Sequence, residues 1–242
     1  MIRYVDNGFS MPEISVVIPA LNEAKYIRYP RQGLGRQSFK DSEIIVVDGE
    51  SEDRTAALAR GFAKVIVTKR RGASAARNAG ACHSKGKVIL FIDADTIPSP
   101  KLLESYHDIF LDKSVAAATG PIYPIERGRI LRAAYILVSK HFVKLSIILG
   151  MPCIVGSNFA VRASCLRRSG GFNERLITYE DWDFSNRLKR YGKIRYADSA
   201  SVSTSARRVI AWGILGYFFY YLVNMAMYSI FKKSMSNYRR IR

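Results

Sequence analysis

Two carboxylates one residue apart, Asp93 and Asp95, close an unbroken apolar run in the segment KVILFIDADT (87–96). Hard oxygen donors at that spacing can share a divalent cation with the phosphate oxygens of a ligand, or they can cap a turn or a helix. Polar groups of related chemistry follow apolar runs elsewhere. Asp48 ends EIIVVD (43–48), and Asn22 and Glu23 follow ISVVIP (14–19). Arg77 sits in an alanine-rich segment, and the adjoining acids Glu180 and Asp181 open the stretch YEDWDF. Carboxylates accept hydrogen bonds from ribose hydroxyls or a ring N–H, and an arginine pairs with a diphosphate. An acid at a helix start can serve as a general base, or simply complement the helix N-terminus.

These residues must be carried to one place. A short, fully apolar run rich in branched and aromatic residues suits a strand covered on both faces of a parallel sheet. Strands are expected at 14–19, 43–48, 64–68 and 87–93, with helices opening after Glu23, running from Ser51 or Asp53 to about Arg60, and covering 73–81. This alternation argues for βαβ units and a mostly parallel sheet. Ligands of open α/β sheets bind beyond the carboxyl ends of the strands, so 19–23, 48–53 and 93–95 converge on one edge, with Arg77 on a helix nearby. Acidic strand ends facing a dry cleft repel one another, and a cation, a ribose and a base between them relieve that repulsion. Downstream, a helix is expected over 101–111, a strand over 116–119, a buried strand over 153–161 carrying Gly156, Ser157 and Asn158, and a helix over 178–191.

The 242 residues have room for one α/β domain with a substantial core, or for a domain and an appendage. With 38 Lys and Arg against 20 Asp and Glu, the net charge of +18 favours anionic partners: nucleic acid, acidic phospholipid or phosphorylated small molecules. Nucleic-acid binders of this charge expose aromatics among their basic residues. Here the tyrosines and phenylalanines cluster in an uncharged stretch near the C-terminus, which argues against nucleic acid. Cys82, Cys153 and Cys165 lack close pairing, so neither a disulfide framework nor a zinc site is indicated. The segment MIRYVDNGFSMPE lacks the apolar core of a signal peptide, and the main domain is expected in the cytoplasm.

Residues 209–231 carry no charge and lie between Arg207/Arg208 and Lys232/Lys233. That length can span a bilayer, yet Tyr217, Tyr221, Asn224 and Tyr228 recur on one helical face, as in an interfacial or domain-packed helix. Over 128–150, Arg129, Arg132, Lys140 and Lys144 fall near one face, with Leu131, Leu137, Phe142 and Leu145 elsewhere. This pattern fits a basic amphipathic helix in a membrane interface, or a helix packed on the domain with its cations in solvent. Contact with the cytoplasmic face of a membrane is expected, either peripheral or through a single C-terminal helix.

In order and near-characteristic spacing, PALNE (19–23), VDGESED (47–53), ARNAG (76–80), FIDADT (91–96), GGFNE (170–174) and ED-x-D (180–183) resemble the motifs of family 2 glycosyltransferases over roughly residues 13–200. The resemblance implies an inverting enzyme of the GT-A fold: a Rossmann-like, mostly parallel sheet flanked by helices, here followed by a C-terminal apolar helix. It implies that Pro19, Asn22 and Glu23 line the nucleotide pocket, Asp48 holds the base and Arg77 helps to hold the diphosphate. Asp93 would contact ribose or metal, Asp95 would ligate Mg²⁺ or Mn²⁺, and Asp181 would be the general base, with Glu180 as the alternative. Gly49 stands where the second acidic motif often has a further Asp, which weakens the assignment of Asp48. No Q-x-x-R-W sequence follows Trp182, which favours transfer of a single sugar over processive synthesis.

The expected organisation is an extension (1–12), a glycosyltransferase domain (13–207, with a nucleotide-binding half at 13–97 and an acceptor half at 98–207), and an apolar membrane-associated helix with a basic tail (208–242). The expected donor is a UDP- or GDP-linked sugar, and the expected acceptor a lipid or glycan at the membrane surface. The alternative is a basic nucleic-acid- or anionic-lipid-binding protein without catalysis. A phosphatase of the haloacid dehalogenase type also places D-x-D at a strand end, but on its first strand and with a different spacing to the following Thr. A sugar nucleotidyltransferase would need a Gly-rich basic loop after the first strand, which PALNEAKY does not supply.

Overall fold

The alternating apolar runs form a sheet whose carboxyl edge gathers the acidic residues. The structure is a computed structural model that describes residues 11–231; most of the expected N-terminal extension and the basic tail lie outside the described residues. The first half runs β1 (Ile14–Ala20), α1 (Arg28–Leu34), β2 (Ser42–Asp48), α2 (Thr55–Ala59), β3 (Lys64–Val67), α3 (Ala73–His83) and β4 (Val88–Phe91). The middle of the chain supplies β5 (Thr96–Pro98), α4 (Leu102–Leu111), β6 (Val115–Thr119), β7 (Ile122–Pro124), α5 (Arg129–Ile136) and α6 (Val143–Ile148). The remainder holds β8 (Phe159–Arg162), α7 (Ala163–Ser169), α8 (Glu180–Leu188), β9 (Lys193–Tyr196), β10 (Val202–Thr204), α9 (Arg207–Trp212) and α10 (Ile214–Phe231).

Seven strands pair in the order β3-β2-β1-β4-β8-β6-β9, and only β8 runs against its neighbours. The expected mostly parallel α/β architecture is what the chain adopts. β1 is flanked by β2 and β4, with Ala20 opposite Asp48 and Val17 opposite Phe91. The chain leaves β1 toward β2 and returns to its other side as β4, so the crevice between β1 and β4 is a topological switch point, where such sheets bind ligands. A second sheet, β5-β10-β7, ties the segment after Asp95 to the segment before Arg207.

Because successive strand residues face opposite sides, each run feeds two cores. Val16, Ile18, Val46 and Leu90 pack with Ile27, Leu103 and Tyr106 on one face. Val17, Ile45, Ile89 and Phe91 pack with Phe159, Phe172 and Phe184 on the other.

Several expectations require correction. The strand expected over 153–161 forms only from Phe159 onward. Ahead of it, Gly156 seats against the Arg77 guanidinium and Asn158 donates to Ala200 C=O while accepting from the Tyr106 hydroxyl, and the residues before the strand form a loop. The helix expected over 178–191 is shorter, because Tyr179 adopts a left-handed conformation (φ +66°) immediately before it. Residues 128–150 do form helix, but with a π-helical stretch (Leu137–Phe142) between α5 and α6. Three of the cations of this segment have partners on the domain: Lys144 and Lys140 reach Asp198 at 2.6 and 3.6 Å, and Arg132 lies over the Tyr123 ring. Ile130, Leu137, Phe142, Leu145 and Ile148 face outward.

The uncharged stretch 209–231 is not one helix. Gly213 (φ +72°, ψ +151°) breaks it into α9 and α10, and among the described residues no helix is long and apolar enough to cross a membrane. The polar face of α10 is used against the domain. Buried Asn224 accepts a hydrogen bond from Thr178, and the Tyr179 hydroxyl donates to the Tyr221 carbonyl. The opposite face leaves Leu215 and Phe219 exposed.

Candidate active site

Arg77 is the point at which the site is joined. It projects from α3, which sits close to the sheet because Gly80 has no side chain: a Cβ there would lie 2.3 Å from Val17 Cγ1. The Arg77 guanidinium, only 4% exposed, donates to Glu180 Oε1 at 2.9 Å and to Asp93 Oδ1 at 3.2 Å. It lies 5.5 Å from the centroid of Phe172, and Gly156 approaches so closely that a Cβ would be 2.5 Å from Nη2. The next residue, Asn78, clamps the GGFNE turn by donating to Phe172 C=O and accepting from Phe172 N–H. Motifs that lie nearly a hundred residues apart in sequence are thereby locked to one helix. Burial opposes the charge of Arg77, but Asp93, Glu180 and Asp181 hold its pKa above the ordinary value.

α8 presents the two adjacent acids. Asp181 accepts from the Gly156 N–H through Oδ2 (2.9 Å) and from the Trp182 N–H through Oδ1 (2.8 Å), which fixes its orientation. Burial raises the Asp181 carboxyl above the usual range despite Arg77 and these two donors. Burial and the neighbouring Asp181 push Glu180 up to about 7, although Arg77 pulls the other way. Two carboxyls this close titrate as a pair. The left-handed Tyr179 stores strain of about 1–3 kcal/mol, and its ring is held against Trp182, Tyr221 and Tyr228. Tyr217 of α10 completes this side, feeling the charges of both Asp181 and Asp93.

Asp95 and Glu23 form the second acidic group. Asp95 Oδ1 accepts from the Thr204 hydroxyl at 3.2 Å, and Oδ2 lies 3.2 Å from Arg207 Nη2. The same guanidinium grips both oxygens of Glu23, at 2.6 and 2.9 Å, and stacks 4.3 Å from the Tyr26 ring centroid. Burial and the charge of Asp93 push Asp95 up to about 6, against the pull of Arg207. Arg207 was not among the sequence-derived site residues. Its only signal was the Arg207–Arg208 pair at the border of the uncharged stretch, where it reads as a helix flank.

The remaining predicted residues lie at the ends of β1 and β2 and in the loops that follow them. Pro19 lies within β1 opposite Val47. Asp48, 2% exposed, takes the Ser51 hydroxyl and N–H on its two carboxylate oxygens. Ser51 in turn accepts from the Asn22 N–H, and Asn22 (φ +54°) accepts from Glu52 N–H. The carboxylate expected to hold a base is therefore engaged in bracing the loop. Asp93, Arg77, Glu180 and Asp181 are brought together directly, and Asp95 with Glu23 adjoins them through the charge of Asp93.

Among the described residues no cluster of three or more His, Cys, Asp or Glu could hold a metal by itself. Mg²⁺ is commonly bound through one or two carboxylates plus substrate phosphates, and Asp93 and Asp95 fit that role. The rise at Asp95 comes first from burial and then from the charge of Asp93, against the pull of Arg207.

Residues 15–170 match the Glycosyl transferase family 2 domain. The chain belongs to that family. This family 2 chain is 30% identical over 226 residues to the probable glycosyltransferase YdaM of Bacillus subtilis (strain 168), covering 82% of the chain and 52% of that protein. It thus spans about half the length of this relative. Two solved structures share the fold. The mannosyltransferase PcManGT from Pyrobaculum calidifontis, in complex with GDP-Man and Mn²⁺, superposes with a TM-score of 0.65 at 20% identity, over 88% of this chain and 65% of that one. S. aureus TarS 1-349 in complex with UDP-GlcNAc gives 0.63 at 21% identity, over 81% and 59%.

Proposed function

We propose that the chain is an inverting, hexosyltransferase-type glycosyltransferase that moves a single sugar from a UDP- or GDP-linked donor to a hydroxyl or phosphate of a lipid-linked or glycan acceptor. The observation that carries this reading is Arg77. One buried guanidinium holds together Asp93 of the nucleotide-side strand end and Glu180 of α8, so a donor diphosphate and an acceptor nucleophile would meet at a single point. Asp181 acts as the general base, its orientation fixed by two backbone N–H groups. Glu180, held near neutrality, is the alternative base. The base accepts the acceptor proton while the nucleotide diphosphate departs from the opposite face of the anomeric carbon. Pro19, Asn22, Glu23 and Asp48 frame the nucleotide pocket. Asp95, with Asp93, would hold Mg²⁺ or Mn²⁺, which neutralises diphosphate charge when bound.

Exposed apolar residues on two segments support an acceptor presented at the cytoplasmic face of a membrane. Ile130, Leu137, Phe142 and Ile148 of the α5–α6 segment are exposed, as are Leu215 and Phe219 of α10, and contiguous apolar surface of this kind marks interaction sites. Both forms of contact, peripheral or through a single C-terminal helix, are compatible with this reading.

A screen of UDP- and GDP-sugars with Mn²⁺, in the presence of polyprenyl-phosphate and glycolipid acceptors, tests the reading. Turnover is expected for one donor class, with Asp181→Asn losing transfer but retaining donor binding. Wild-type-like transfer by that variant removes Asp181 from the role of base. Failure to co-sediment with anionic vesicles, together with preference for a soluble acceptor, refutes the membrane component.

A further inference from the structure

Arg207 is the residue of the cleft that the catalytic reading leaves unused. Its side chain is 10% exposed, its fork holds both oxygens of Glu23, and the same Nη2 reaches Asp95 Oδ2. It does not arrive alone. The Thr204 hydroxyl takes the other oxygen of Asp95, the Ser205 N–H donates to the Asp95 carbonyl, and Glu126 fixes the turn by accepting from Ser205 and the Ala206 N–H. Both carboxylate oxygens of Asp95 are thus engaged by the segment 204–207, which leads directly into α9. Through Gly213, α9 continues into α10, and α10 is bonded to Thr178, Tyr179 and Asp183 around the start of α8. A connected path of side chains and short helices therefore runs from Asp95 to the helix that carries Glu180 and Asp181.

A cation already placed on Asp95 must contend with any other cation that uses the same oxygens. We propose that Arg207 is the resident counter-cation of the acidic cleft, and that a divalent cation entering with a nucleoside diphosphate competes with it for Asp95. Loading releases Arg207 and loosens the α9–α10 cap over the site. The inference rests on the reading of Asp95 as a metal-side carboxylate. Arg207 keeps Asp95 and Glu23 from repelling each other while the cleft is empty, and its departure couples donor loading to access by the acceptor. An arginine suits this task because its fork can hold two carboxylates at once.

Calorimetry of Mn²⁺ with UDP, and separately with GDP, tests the competition in wild type, Arg207→Met, Arg207→Lys and Asp95→Ala. Loss of the competing charge-assisted hydrogen bond should tighten metal-dependent binding by Arg207→Met about tenfold. Arg207→Lys, which keeps the charge without the fork, should fall between this variant and wild type, and it carries the test if Arg207→Met fails to fold. The second readout is independent of turnover. Trp212 of α9 packs 4.9 Å from the Tyr220 ring, so in a Trp182→Phe background its emission should shift to the red when Mn²⁺ and nucleotide are added. Unchanged or weaker metal-dependent binding by both Arg207 variants overturns the proposal, as does Trp212 emission that is indifferent to loading. If Asp95→Ala leaves metal-dependent binding intact, it is the underlying metal reading that fails.

Discussion

Replacing Glu180 by Gln keeps the shape of the side chain and an acceptor for Arg77, but removes a carboxyl whose pKa the fold holds far above its ordinary value. Burial and Asp181 carry it from 4.5 to about 7. For an acid raised in this way the native state binds more protons than the unfolded state between those limits. Its contribution to stability is fully present below pH 4.5 and is lost as pH rises through about 7. At about 1.4 kcal/mol per pH unit the loss amounts to roughly 3 kcal/mol by pH 8. Glu180→Gln has no such loss, and Arg77 still retains Asp93 as a charged partner. Urea unfolding at pH 5 should therefore give wild type and variant nearly equal stability. At pH 8 the variant should be more stable by roughly 2–3 kcal/mol with an unchanged m-value. An equal difference at both pH values, or a variant that is weaker at pH 8, would refute the argument that burial outweighs Arg77 at this position.

Other consequences are more direct. Asp95→Ala should abolish the Mn²⁺-dependent part of nucleotide binding in calorimetry while leaving the fold intact by circular dichroism. Gly156→Ala places a methyl 2.5 Å from Arg77 Nη2 and should cost about 1–3 kcal/mol in unfolding experiments, together with a fall in transfer as Arg77 is displaced. Burial and the charge of Asp181 push the Cys153 thiol up to about 12, whereas Cys82 is exposed. A thiol reagent at pH 8 should therefore label Cys82 first and Cys153 far more slowly, and rapid labelling of Cys153 would contradict its burial.

Much of the nucleotide half was legible because its strands are fully apolar and end on polar residues, a pattern that fixes both their type and the edge they serve. Asp93, Arg77, Glu180 and Asp181 were all named from sequence, and they do meet. The loop 153–158 was misread because Cys153, Ile154 and Val155 carry the composition of a strand, while the constraint that breaks it, the seat of Arg77 on Gly156, is tertiary. Val209 to Phe231 read as a possible span because hydropathy counts side chains and not their partners, so the packing of Asn224 on Thr178 could not be seen. Arg207 was missed for a related reason. Nothing local distinguishes an arginine that flanks an apolar stretch from one that closes on Glu23, 184 residues away.

The reversed strand β8 carries a consequence for how the molecule is made. β4 pairs with β1 on one side and with β8 on the other, so its second edge stays open until residues 159–162 have been synthesised. A growing chain thus exposes the edge of its most apolar strand while almost seventy further residues emerge, a state prone to aggregation and in need of chaperone cover. When β8 inserts, it draws in the loop immediately before it, and Gly156 takes its place against Arg77. Pairing of this sheet edge and the seating of Arg77 are thus tied to one strand, while Glu180, Asp181 and Arg207 still have to follow from the chain beyond it.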